Sequence, residues 1–174
     1  MWPLRRRRRP RTKGELLLAQ GTDALRRRRL SEAIELLRAA LGEGVDTAPL
    51  RINLGTAYHL DGQHTAAIEQ FEHAVKLAPN DVTPLLNAAA AHSALGHHDK
   101  AIETLEVALT INPTHRDLHF NLAVGYGRKG RMKEAIEALQ KEIQLHPKSK
   151  HARQLLDDIT RRIAEAAQRT EEEP

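Results

Sequence analysis

Residues 48–81 read APLRINLGTAYHLDGQHTAAIEQFEHAVKLAPND, and the two stretches that follow repeat this punctuation. Asn53-Leu54-Gly55 is echoed by Asn87-Ala88-Ala89 and Asn121-Leu122-Ala123, each 34 residues further on. The same interval separates Gly62, Gly96 and Gly130; Ala67, Ala101 and Ala135; and Pro79, Pro113 and Pro147. Four positions kept at one spacing through three copies define an internal repeat, and a period of this size points to stacked supersecondary units.

Each recurring type has a physical task. Gly55, Ala89 and Ala123 are small residues mid-way along a first helix, where a second helix must cross closely. Ala67, Ala101 and Ala135 are the small positions on that second helix, and a larger side chain there would overpack. Gly62, Gly96 and Gly130 fall where the first helix ends, a place that favours a left-handed residue. Pro79, Pro113 and Pro147 follow the second helix, which they cannot continue. Between these marks apolar residues run at helical spacing, as in Ala67, Ile68, Phe71, Ala74 and Val75.

This pattern resembles the tetratricopeptide repeat family. Residues 48–81 supply Gly55, Tyr58, Gly62, Ala67, Phe71, Ala74 and Pro79, every position of the family pattern. Residues 82–115 follow it with His92 at the aromatic place, and residues 116–149 with Glu142 where Ala is usual. Glu142 is read as the mark of an end repeat with a looser neighbour. Residues 14–47 form a degenerate first copy: Gly21, Ala33, Leu37 and Ala40 are in phase, but Arg28 replaces the turn glycine and Val45 the proline. After Pro147 the stripe Ala152, Leu155, Leu156, Ile159, Ile163 and Ala166 marks a capping helix over 150–168, with a tail at 169–174. The expected fold is therefore all-α, a right-handed helix-turn-helix repeat solenoid of about four repeats plus a cap. A basic arm, 1–13, precedes it.

Composition agrees with helices. Aromatic residues are 3% of the chain, which leaves a core of Ala and Leu suited to close helix packing and ill suited to a β-sandwich. The chain has no cysteine, which excludes disulfides, thiolate metal sites and thiol nucleophiles. No apolar run approaches the roughly 18 residues that span a bilayer, and a cytoplasmic location is expected. Residues 1–30 carry eleven Lys or Arg against Glu15 and Asp23, while the rest carries sixteen basic and twenty-one acidic residues. The basic character thus belongs to the N-terminal stretch.

The family resemblance places first helices on the concave side of the solenoid. It implies a groove in which Asn53, Asn87 and Asn121 form a ladder able to pair with the backbone of an extended peptide. Asn at this position also serves to bond a neighbouring helix. Selectivity would come from Ile52, Thr56, His59, Thr83, Leu86, Ala90, Ser93, Phe120, Val124 and Arg128, a mixed and fairly apolar lining. The carboxylate clamp of chaperone-tail binders is absent: its positions hold Ile52, Thr56, Asn87, Asp117 and Asn121, and only Asn87 agrees.

A second candidate is a polyanion site made of Arg5, Arg6, Arg7, Arg8, Arg9, Arg11 and Lys13, extended by Arg26, Arg27, Arg28 and Arg29. Such a site would bind RNA or a ribosome with steep salt dependence. Only Trp2 offers an aromatic face near it, and no base-reading motif is present. Among the histidines, His97, His98 and Asp99 are consecutive and diverge, while His115 and His119 lack a third ligand in phase, so no metal site is expected. No nucleophile–base pair, paired-carboxylate motif or phosphate loop stands out, and neither an enzyme nor a cofactor is expected. The reading is a non-enzymatic adaptor that binds a peptide or protein segment. An RNA- or ribosome-associated factor is the alternative, and self-association a third.

Overall fold

A computed structural model describes residues 12–172, and nine α-helices account for most of them. The chain divides into two compact units, one ending at Pro79 and one beginning at Asn80. Among the described residues no helix is long and apolar enough to cross a membrane.

The first unit holds α1 (Lys13–Arg26), α2 (Leu30–Gly42), α3 (Ala48–Leu60) and α4 (His64–Leu77). Helix α1 opens on a capping box: Thr12 Oγ1 accepts from the Glu15 N–H at 3.2 Å, and the Thr12 N–H donates back to Glu15 at 2.9 Å. Lys13 therefore belongs to this helix and pairs with Glu43 at 2.6 Å, which corrects the arm boundary by one residue. Thr47 caps α3, with Pro49 in its first turn. Helices α1 and α2 pack as one hairpin and α3 and α4 as the next, with α2 against α3 joining them.

The hairpins are held by size matching across the small positions. A β-carbon on Gly55 would lie 2.6 Å from the Phe71 ring, and one on Gly21 would lie 2.8 Å from Leu37 Cγ. Both partners are fully buried, so neither glycine can be enlarged without moving a core side chain. Arg28 stands where the other hairpins have glycine and adopts the same left-handed conformation, φ 61° against 82° at Gly62. The hydrogen bonds match too. The Arg29 N–H donates to Ala24 O at 2.9 Å, and the Gln63 N–H donates to Tyr58 O at 2.8 Å.

The second unit holds α5 (Thr83–Ala94), α6 (His98–Ile111), α7 (Leu118–Arg128), α8 (Met132–Leu145) and α9 (Lys150–Glu172). Its turns at Gly96 and Gly130 are left-handed and close in the same way, with the His97 N–H on His92 O and the Arg131 N–H on Tyr126 O, both 2.9 Å. Leu105, Leu118 and Leu139 form the interior, and Ala152 of α9 is fully buried. Helix α9 continues four residues beyond the expected end of the cap and is nine residues longer than α8, on which it packs.

Glu142 corrects the sequence reading. It is 0% exposed, although a looser neighbour was expected there. Its carboxyl accepts from the Asp117 N–H at 3.3 Å, and its other oxygen has no hydrogen-bond partner among the described residues. Asp117, the residue before α7, is itself left-handed at φ 69°. The departure from Ala at this position therefore goes with a reshaped entry to α7.

Candidate functional site

The three asparagines lie on first helices, as their repeat position requires, and all are half-buried. Their surroundings differ. Asn53 donates from Nδ2 to Thr22 Oγ1 at 3.0 Å, and Thr22 in turn donates to Leu18 O at 2.8 Å. This amide ties α3 to α1. Asn87 on α5 and Asn121 on α7 make no side-chain hydrogen bond to another described residue, so their donors and acceptors face other uses.

The neighbouring positions are equally varied. His59 at the end of α3 faces His64 at the start of α4, with Nδ1 atoms 3.1 Å apart and ring centres 4.9 Å apart. Burial holds the His59 pKa below its ordinary value, and the charge of His64 lowers it further. Phe120 is half-buried with its ring centre 6.4 Å from that of His151 on α9. Thr56, Leu86 and Val124 are half-buried, while Ala90 and Arg128 are exposed. Tyr126 donates to Glu106 at 3.3 Å and lies 4.6 Å below the Arg131 guanidinium. Burial, followed by the Glu106 charge, raises the Tyr126 pKa.

A cavity of about 610 Å³ opens in the second unit between α7, the start of α8 and the middle of α9. Val124 forms one wall, with Leu155, Ile159 and Ile163 forming the other. Arg128 and Arg162 also line it. Val124 and Arg128 are two of the residues that the repeat pattern assigns to the groove. The contributions of α9 were not foreseen, because the stripe on that helix had been allotted wholly to capping. Its signal was present: apolar residues recur past the length needed to cover an eleven-residue or fourteen-residue helix.

Models of the tetratricopeptide repeat match residues 18–82, 58–119 and 94–159, and together they cover most of the chain. The chain belongs to the tetratricopeptide repeat family. A search of curated proteins finds no match. Among solved structures, the repeat fold is shared with MamA at 25% identity and TM-score 0.73, over 78% of this chain and 80% of that one. YrrB, described as a TPR protein with an unusual peptide-binding site, aligns at 24% identity and TM-score 0.74 over 82% and 74%. The first TPR of Spaghetti (RPAP3), bound to an HSP90 peptide, aligns at 19% identity and TM-score 0.65 over 68% and 96%.

As a tetratricopeptide repeat protein the chain carries its remaining candidate residues as follows. Arg27 pairs with Asp23 at 3.0 Å and Arg29 with Glu32 at 2.8 Å, so half of the second arginine tract is already neutralised. Arg26 and Arg28 are exposed. Arg5 to Arg9 and Arg11 lie outside the described residues. His115 and His119 each bond a backbone carbonyl, of Arg116 and Pro113 respectively. No group of three or more possible metal ligands occurs among the described residues.

Proposed function

We propose that this repeat protein is a non-enzymatic adaptor that holds an extended peptide or protein segment along the first helices of its second unit's repeats, α5 and α7. The observation that carries the reading is the state of Asn87 and Asn121: half-buried, in register, and with side-chain amides bonded to no other described residue. An amide in that position offers both a donor and an acceptor to a passing backbone. Each such bond contributes about 0.5–1.5 kcal/mol, so the amides act together with apolar neighbours such as Leu86 and Val124. The shared fold with YrrB and the RPAP3 repeat, both described with peptides, supports the same reading. Asn53 lies in the first unit, with one of its N–H groups spent on Thr22.

The test is affinity capture from a nuclease-treated native lysate, comparing the intact protein with Asn87→Ala/Asn121→Ala. Circular dichroism melting should be unchanged, and at least one discrete protein should be retained by the intact chain and lost by the variant. Equal capture by both proteins would sink the assignment of these amides. Capture seen only in a parallel lysate left without nuclease would assign binding to the arginine tracts instead.

A further inference from the structure

The lining of the second unit's cavity has an unusual chemical balance. Its walls are aliphatic, and among the described residues its charged members are Arg128 and Arg162, with no carboxylate. Both arginines are exposed, and neither forms an ion pair with a described residue, although Arg161 next door pairs with Asp158 at 2.5 Å. Two guanidiniums without an ion pair to a described residue, bordering an apolar trough, favour an occupant that is apolar in the middle and anionic at its edges. The size of the cavity falls within the range of about 300–1,000 Å³ typical of ligand sites. Ile163 is 47% exposed and Met132 39%, so apolar surface stands uncovered around the opening.

We propose that this trough takes an acidic, leucine-rich segment of a partner protein, its aliphatic side chains entering between Val124 and Ile159 and its carboxylates meeting Arg128 and Arg162. The inference rests on the adaptor reading and names the chemistry of the segment. It also moves much of the recognition onto α9, which follows the last full copy of the 34-residue pattern.

Gly127 supplies the means of testing it. This glycine lines the cavity, and a β-carbon built on it meets nothing within 4 Å. Its backbone is not left-handed, so Gly127→Leu fills the trough without strain in α7. Gly127→Ala is the control for the change in helix propensity.

The probe is a fluorescent twelve-residue peptide of leucine and glutamate, read by anisotropy against the full chain. Matched peptides carry lysine for glutamate or serine for leucine. The intact protein should bind the acidic leucine probe, with both matched peptides weaker by about tenfold or more. Gly127→Leu should lose about tenfold while melting no lower than the intact protein, and Gly127→Ala should bind as the intact protein. Arg128→Glu/Arg162→Glu should reverse the preference toward the lysine peptide. Absence of binding at millimolar protein, equal binding of the lysine peptide, or binding indifferent to Gly127→Leu would each overturn the proposal. So would binding of decanoate in place of peptide, or a dimer that Gly127→Leu dissolves, each naming a different occupant. Failure here, alongside capture that still depends on Asn87 and Asn121, would leave the adaptor reading standing. Loss of both would remove the adaptor reading as well.

Discussion

Ala74 in the first unit and Glu142 in the second occupy the same repeat position, and both are 0% exposed. One is filled by a methyl group and the other by a carboxyl with one oxygen unpartnered among the described residues. The first unit follows the repeat pattern where helices cross: a small residue faces a large one, as Gly55 faces Phe71. The second unit departs from it at Glu142 and Asp117, at the entry to α7, and keeps an open cavity toward the other end of that helix. The contrast separates two uses of one repeat. A position that only packs is specified by size, whereas a position that shapes the neighbouring helix entry is specified by hydrogen bonding.

The largest expected effect lies on the packing side of this contrast. Phe71→Ala should destabilise the first unit by about 3–5 kcal/mol in chemical denaturation, because its ring fills the space that Gly55 leaves. Gly55→Ala alone should cost about 1–3 kcal/mol by overpacking. Later repeats pair Ala89 with Leu105 and Ala123 with Leu139 at these positions, all buried. The double change Gly55→Ala/Phe71→Leu should therefore recover most of that loss, and additive losses would break the size-matching account.

On the polar side the effect is smaller. Glu142→Gln keeps an acceptor for the Asp117 N–H and replaces a buried carboxyl by an amide, and it should stabilise by about 1 kcal/mol. A loss of stability would show that the carboxyl does more than serve that one bond. Arg28→Gly should stabilise by about 0.5–1 kcal/mol, since relief of the left-handed conformation outweighs the extra freedom of the unfolded chain.

The smallest effect concerns the facing His59 and His64. The His59 pKa is lowered in the folded chain, so the unfolded chain takes up a proton first as pH falls through about 6.5. The stability of the first unit should decline below that pH, and His64→Gln should flatten the decline. An identical pH profile for the variant would remove His64 as a cause.

The turns and crossings were legible because their causes are local. A left-handed closure favours glycine within a few residues of the helix end, so Gly62, Gly96 and Gly130 announced themselves, and even Arg28 was found by its phase. Other features were hidden because their causes are distant in the chain. Glu142 is buried through a bond to Asp117, 25 residues earlier. Asn53 is tied to Thr22 across 31 residues, and a side chain capable of either role gives no sign of which it takes. The site was half legible: Val124 and Arg128 follow from repeat position, but Arg162 and Ile163 belong to a helix with no template to place them.

Within each unit every helix packs chiefly on its immediate neighbour in the chain, α1 on α2, α3 on α4, α5 on α6, α7 on α8 and α8 on α9. Turns of a few residues close these pairs. Contacts so near in sequence need little loop closure, and helical domains of this kind fold in microseconds to milliseconds. A hairpin can therefore close as soon as its second helix leaves the ribosome, before the next has been made. The trough lined by α9 is the exception. It exists only once α9 has been synthesised, so a partner that reads it reads a chain already made as far as that helix.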